Sequence, residues 1–323
     1  MTAGPSAAAV AGRSRLPLRG IRKPRLRAAS LVLVQLATAA VLAAPGSSPA
    51  LATARVGNHG ALTYRYLTDN SDGRLTRSFG YNLVDLGPYR SLINSLPAGQ
   101  RALVWIGNYD LATCSFQTSD ATIRRDLAPL ARDRKVAGYY LADEPDDGLP
   151  AYGGHCPHVL AQIEARNRLV HRLAPGAFTY EVVTEPGNFA AFAKATDVLG
   201  ADPYPCLHGR TCDWRMIPRY IAALSAAHVA RYWGVLQAFS DGHWRYPTAA
   251  ELQAMIRQWE RSRWQGEQTF AWSFDGNSLT RRPRLLAVLR ALNEDISASS
   301  VPHPVSSVVP LRKMQDGGCH REQ

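Results

Sequence analysis

The stretch VAGYYLADEPDDGLPAYGGHCPHVLAQIEARNRLVHRLAPGAFTYEVVTEP, residues 136–186, carries the pattern that predicts the fold. An apolar, β-prone run at 136–142 is followed by an amphipathic stretch at 159–173 and by a second β-prone run at 178–184. Two such runs joined by a helix are typical of parallel strands with a crossover connection. The segment therefore predicts one strand–helix–strand unit of an α/β protein.

The same unit repeats along residues 61–295. The predicted strands are 62–67, 81–86, 101–107, 136–142, 178–184, 197–201, 232–238 and 269–273. The predicted helices are a short one near Arg74, then 89–96, 121–133, 159–173, 189–194, 216–228, 249–264 and 284–295. Eight pairs on about 240 residues match a closed (β/α)8 TIM barrel in a single domain. An open doubly wound sheet is the alternative, but its phosphate-binding GxGxxG and GxxxxGK[ST] motifs are absent, and we expect no cofactor.

The chain begins with the pattern of a secretory leader. Residues 1–52 hold seven Arg and Lys and no acidic residue, and an apolar run spans 28–44. Small residues before Ala52 and before Ala54 predict cleavage after one of them. An uncleaved anchor is the alternative. We therefore predict a leader at 1–54, a barrel at 55–296, a flexible Ser/Val/Pro-rich tail at 297–323, and a secreted protein.

The net charge argues against a nucleic-acid partner. The whole chain carries +11, and subtracting the seven leader charges leaves +4 for the remainder. A small excess without a basic cluster is not typical of proteins that bind nucleic acids. We also expect no membrane partner after leader cleavage, and a monomer.

Export favours paired cysteines, because thiols outside the cytoplasm tend to oxidise. Cys206 and Cys212 lie six residues apart in one loop, where a local bridge is easy to close. Cys114 and Cys156 form the second pair by elimination, which leaves Cys319 in the tail. A zinc site that includes His155 is the alternative, but its ligand spacing matches no usual pattern, and we predict no metal.

The residues that end the predicted strands are unusually rich in carboxylates and aromatic rings. In a (β/α)8 barrel the chemistry lies at the carboxyl ends of the strands. A single Asp or Glu before Pro is most often a turn or cap residue. Acidic residues at four of eight strand ends instead favour a cleft, and paired carboxylates beside rings suit hydrolysis of a sugar acetal. The polar candidates are Asp143, Glu144, Glu185, Asp202, Gln237 and Asp275, and the aromatic candidates are Trp105, Tyr140, Tyr204 and Trp272.

Alternation along the fourth strand predicts which of its two carboxylates faces inward. Side chains of a strand point to opposite faces in turn. Glu144 then shares the inward face with Tyr140 and the small residues Gly138 and Ala142, whereas Asp143 lies on the other face as a hydrogen-bonding neighbour or loop anchor.

The sequence resembles the (β/α)8 glycoside hydrolases of the retaining clan whose acid/base glutamate ends the fourth strand. The resemblance rests on GYYLADEP at 138–145, DVLGADPYP at 197–205, VLQAF at 235–239 with PTAAEL downstream, and FAWSFDG at 270–276. It implies a secreted enzyme with a carbohydrate substrate and Glu144 as the general acid/base.

Gln237 departs from that clan, because it occupies the position of the clan's nucleophilic glutamate and an amide cannot attack. The second carboxylate is then Asp202, ahead of Asp275 or Glu185. Retention and inversion are both open to such a pair, and we expect inversion across a wider gap. Alternatively, the barrel only binds glycan. No GxSxG or HExxH motif supports a serine hydrolase or a zinc peptidase.

Overall fold

The computed structural model of the protein describes residues 62–68 and 73–299. Within them, eight parallel strands close into a barrel in chain order, and the first strand pairs with the last. The strands are β1 (Tyr64–Leu67), β2 (Leu83–Leu86), β3 (Arg101–Trp105), β4 (Val136–Asp143), β5 (Phe178–Val183), β6 (Val198–Ala201), β7 (Tyr232–Gln237) and β8 (Gly266–Phe270). The helices are α1 (Gly73–Arg77), α2 (Arg90–Ser95), α3 (Asp120–Leu127), α4 (Val159–Leu173), α5 (Phe189–Phe192), α6 (Met216–Ala226), α7 (Ala249–Trp259) and α8 (Pro283–Ser299). The predicted (β/α)8 barrel is confirmed.

The eighth strand is the one whose prediction is wrong. It spans Gly266–Phe270 rather than 269–273. Three of its five residues are polar, yet Glu267, Gln268 and Thr269 are all buried, so no apolar run marks the strand. The segment predicted as its end instead enters a short hairpin, Ser273–Phe274 with Asn277–Ser278.

Helix bounds follow local capping signals. α7 begins at a capping box in which the Thr248 side chain accepts from Glu251 N and the Glu251 side chain accepts from Thr248 N. α8 runs to Ser299, three residues into the segment predicted as a tail.

The predicted leader, the rest of the tail and Cys319 lie outside the described residues. Among the described helices, none combines the length and hydrophobicity needed to cross a bilayer.

Aromatic rings fill the barrel interior. Tyr180 stacks on Trp233 with ring centroids 4.5 Å apart and meets Tyr140 edge-on at 4.9 Å. Tyr66 contacts all three rings and is fully buried. The Tyr180 hydroxyl donates to Gln268, whose amide donates to the Thr68 hydroxyl at 2.8 Å. This packed interior is a core rather than a pore, which leaves the rim as the place for a site.

Both predicted disulfides are present. Cys114 bonds to Cys156 and Cys206 bonds to Cys212, with Cα–Cα distances of 5.1 and 4.2 Å. The first links the loops that follow β3 and β4, and the second closes the loop that follows β6. Because the sulfur atoms of Cys114 and Cys156 are bonded to each other, they are not thiolate ligands for the zinc alternative with His155.

Candidate active site

A β-bulge at the end of β4 overturns the predicted alternation. The register with β5 shifts between Tyr140 and Ala142. Tyr140 joins the aromatic interior, whereas Ala142 packs outside the barrel with the core that includes Leu141. Asp143 accepts a hydrogen bond from the Tyr140 hydroxyl at 2.7 Å. The prediction that Ala142 faces inward and Asp143 outward is therefore wrong, because the bulge inserts one extra residue and turns the following side chains.

Glu144 follows the bulge in a left-handed backbone conformation, with φ 51° and ψ 44°. Its amide donates to Val182 O on β5 at 3.1 Å. This conformation disfavours any residue with a Cβ by about 1 to 2 kcal/mol, and such residues concentrate at functional sites.

Asp146 holds the Glu144 turn in place. The Asp146 carboxylate is fully buried and accepts hydrogen bonds from Thr184 N at 3.1 Å, Glu185 N at 2.9 Å and Asn188 Nδ2 at 3.0 Å. These bonds fasten the loop after β4 to the loop after β5. They compensate the strained backbone of the Glu144 turn.

Asp202 follows β6 and meets Glu144 directly. The two carboxyl groups are in hydrogen-bond contact, and the Asp202 side chain is nearly completely buried. Neither Asp202 oxygen has an N–H or O–H donor among the described residues apart from this carboxyl contact. A hydrogen bond between two carboxyl groups requires that one of them be protonated. The structure thus brings together the two residues predicted to be catalytic.

The environment assigns the shared proton to Asp202. Burial raises the pKa of Asp202 well above its ordinary value, and the Glu144 charge, the shared hydrogen bond and the Asp143 charge raise it further. Two carboxylates in contact cannot both ionise, and the more deeply buried one keeps the proton. Glu144 is only partly buried, so burial favours the proton on Asp202.

Aromatic side chains flank the pair. Burial raises the pKa of the Tyr204 hydroxyl, and the charges of Asp202 and Glu144 raise it further. The Tyr204 ring meets Phe239 edge-on at 5.0 Å. Trp105 is partly exposed and meets Tyr140 edge-on at 4.8 Å. Tyr140 itself is buried, and its hydroxyl donates a hydrogen bond to Asp143.

Gln237 has a role that the sequence did not reveal. It is fully buried, and its amide bonds to both the N–H and the C=O of Cys206 and to Arg245 O, each at 2.9 Å. These three backbone contacts use the amide to clamp the loop that follows β6. The side chain holds that loop and points no free polar atom at a substrate.

Three other predicted residues lie on loops other than those of Glu144 and Asp202. Asp275 is exposed in the hairpin turn at φ 47°. Trp272 is buried and packs near Phe79, with ring centroids 6.1 Å apart. Glu185 is partly buried on the loop after β5, where its amide binds Asp146. The predictions of Asp275 and Trp272 as site residues depended on the wrongly predicted end of the eighth strand.

Asp85 on β2 is a rim carboxylate that the sequence reading missed. It pairs with Leu103 on β3, shares a strand face with inward Leu83, and is partly buried. The signal was available, because a residue two positions after an inward apolar residue also faces inward.

Clusters with metal-ligand geometry in the described part of the chain are Cys114, His155 and Cys156, and Cys206, Cys212 and Glu251. Each contains two cysteines that are already bonded to one another. The carboxylate pair at the rim is a separate group.

No model of a protein family and no curated protein matches the sequence. Solved structures with a similar fold include a candidate alpha-L-fucosidase from Bacteroides thetaiotaomicron, 9% identical, covering 77% of this chain and 99% of that one with a TM-score of 0.50. A GH128 endo-beta-1,3-glucanase from Amycolatopsis mediterranei is 15% identical, over 71% of this chain and 100% of that one, at 0.46. A beta-galactosidase from Marinomonas ef1 is 9% identical, over 70% of this chain and 56% of that one, at 0.48. The likeness to the candidate fucosidase, at 9% identity, shows the fold alone.

Proposed function

We propose that the protein is a secreted glycoside hydrolase that cleaves glycosidic bonds of a poly- or oligosaccharide. The observation that carries the proposal is the contact between the buried Asp202, whose pKa is raised well above its ordinary value, and the partly buried Glu144 at the carboxyl rim of the barrel. Two carboxyl groups whose environments drive their pKa values apart form an acid and a base or nucleophile.

The roles proposed from this geometry reverse those expected from the resemblance. Asp202 donates its proton to the leaving glycosidic oxygen as the bond from that oxygen to the anomeric carbon breaks. A Glu144 oxygen forms a bond to the same carbon. The Asp202 carboxylate then takes a proton from water, which attacks that carbon and releases Glu144. Substrate that enters between the two carboxyl groups replaces their hydrogen bond.

The contact also argues against the inversion that we expected from the sequence. Inverting enzymes hold their carboxyl groups about 6.5 to 9.5 Å apart to admit a water molecule, whereas retaining enzymes hold them about 5 to 5.5 Å apart. The contact between the two carboxyl groups supports the narrower separation, and we propose retention.

The test is an assay of the mature protein on a panel of cell-wall and plant polysaccharides, with product anomers identified by proton NMR. Asp202→Asn and Glu144→Gln should each lower kcat by about 100- to 10,000-fold, because each removes one proton-transfer or nucleophilic role. Asp275→Asn is the matched control and should leave kcat unchanged, because Asp275 is exposed in a separate hairpin. Product of inverted configuration would refute the assigned roles.

A non-catalytic glycan-binding barrel is the second candidate, supported by the amide of Gln237 at the clan's nucleophile position. Retention of a glycan on a column without release of any product would favour this alternative and exclude hydrolysis.

The cellular location and the oligomeric state are also proposals. We infer export from the leader pattern, and an N-terminus at residue 53 or 55 in protein recovered from culture medium would support it. Elution of the mature protein as a monomer from a size-exclusion column would support the monomeric state.

A further inference from the structure

A groove beside the carboxylate pair has no part in the reaction proposed above. It is formed by the loop that follows β6 and by the start of α6, and it is open to solvent with a volume of about 680 Å³. Its lining includes Pro205, Leu207, Arg210, Trp214, Arg215 and Met216.

The groove lies close to the reacting groups along the chain. Pro205 in its wall is three residues after Asp202. An extended chain advances at most about 3.6 Å per residue, so the two Cα atoms are within about 11 Å of each other. Tyr204 lies between them and is in electrostatic contact with Asp202. The groove wall therefore begins within about 11 Å of Asp202, a span that a short oligosaccharide covers.

The backbone of the groove is held rigidly. The Cys206–Cys212 disulfide closes the loop, and Gln237 binds it from below. Arg245 Nη2 donates to Arg210 O and Gln258 Nε2 donates to Trp214 O, both at 3.4 Å. A binding surface fixed in advance loses less entropy when a ligand binds.

The side chains of the groove combine one aromatic face with cationic donors. Trp214 is 38% exposed, and it is the one tryptophan among the exposed large apolar side chains of the described residues. Arg210 and Arg215 are exposed, and neither forms an ion pair with a described acidic group. Asp213 adds one negative charge, and its Oδ1 accepts from Arg215 N at 3.0 Å. The groove therefore keeps a net positive charge.

We propose that this groove is a subsite for a hexuronate residue, so that the glycan substrate is acidic. The inference rests on the proposed function, because it names the substrate class of the same rim. The planar guanidinium groups of Arg210 and Arg215 match a carboxylate in geometry and charge. The Trp214 face packs against the C–H face of the pyranose ring.

The experiment measures binding apart from turnover, by calorimetry at physiological salt on the Glu144→Gln protein. The probes are tetramers of galacturonate and of glucuronate, each compared with the same tetramer after reduction of its carboxyl groups to alcohols. At least one acidic tetramer should bind about tenfold more tightly than its reduced form, as one charged hydrogen bond implies. Arg210→Gln and Arg215→Gln should each reduce that preference, whereas Trp214→Ala should weaken both forms.

Arg261→Gln is the matched control, because Arg261 is exposed beyond the end of α7, at the opposite end of the barrel. It should leave binding unchanged. Equal affinity for the acidic and reduced forms of both tetramers would overturn the subsite. An equal loss of acidic preference in the Arg261→Gln and Arg210→Gln proteins would also overturn it, because the preference would then come from the overall charge of the protein. Hydrolysis of neutral glycans without acidic preference would overturn the subsite and leave the proposed function intact. Selective binding of an acidic tetramer, together with no hydrolysis of any glycan by the native protein, would support the subsite and exclude the proposed enzyme activity.

Discussion

Replacing Glu267 with glutamine should remove a large pH dependence of stability. Glu267 lies on β8, is fully buried and accepts a hydrogen bond from the Thr269 hydroxyl at 2.8 Å. Burial raises its pKa to about 8 from 4.5, although the Thr269 hydrogen bond and the charge of Arg65 oppose the increase. Glutamine preserves the side-chain volume and keeps an oxygen for the Thr269 hydroxyl.

The sign follows from proton binding. Between pH 4.5 and pH 8 the folded protein binds more protons at Glu267 than the unfolded chain does, so the free energy of unfolding falls as pH rises. Below pH 4.5 both states are protonated and the stability is fully present. The total loss by pH 8 and above is about 5 kcal/mol, and about 2.5 kcal/mol of it falls between pH 5 and pH 7. Glutamine does not titrate and removes this loss.

The assay is urea unfolding followed by tryptophan fluorescence at pH 5, 6 and 7, with the disulfides intact. The free energy of unfolding of the Glu267→Gln protein minus that of the native protein should grow by about 2 to 3 kcal/mol from pH 5 to pH 7. Glu294→Gln, which removes an exposed partner of Arg290, is the control and should change stability by less than about 1 kcal/mol at each pH. A Glu267→Gln difference that stays constant over this range would refute the reasoning.

Three further predictions concern the disulfides, the barrel interior and the Glu144 turn. Replacing Cys114 and Cys156 with serine should lower the free energy of unfolding by about 4 kcal/mol, and replacing Cys206 and Cys212 should lower it by about 2 kcal/mol. The first disulfide costs more to lose because it joins residues 42 apart, whereas the second joins residues 6 apart. Equal losses in urea unfolding would contradict this. Gly200→Ala should destabilise by about 1 to 3 kcal/mol, since its Cβ overlaps the Tyr180 hydroxyl and lies 2.7 Å from Tyr180 Cζ, whereas Gly176→Ala, with open space, should be near neutral in thermal unfolding. Glu144→Gly should be about 1 kcal/mol more stable than Glu144→Ala in urea, because only glycine relieves the left-handed backbone, and equal stability would show that the turn is not strained.

The fold was readable from the sequence because its signals are local. A β-prone run followed by an amphipathic stretch indicates each crossover unit. The predicted bounds of α4, for example, match the observed Val159–Leu173. The cysteine pairs were readable for a similar reason, since few partners were possible. The rim position of Glu144 and Asp202 followed from the strand ends alone.

The eighth strand and the β4 bulge were not readable in this way. The polar residues of β8 are buried by contacts from distant segments, such as the hydrogen bond between Gln268 and Thr68. The bulge is set by the register of β4 against β5, which no single strand encodes. Both depend on pairing between segments that are far apart in sequence.

The sequence by itself determined the barrel, the disulfide partners and the places of Glu144 and Asp202 at the ends of two strands. Only the tertiary structure decided that Asp202 contacts Glu144, that burial raises the pKa of Asp202, and that Gln237 clamps a loop. The physical reason is that a pKa depends on burial and on neighbouring charges, and both are properties of the assembled strands rather than of any one of them.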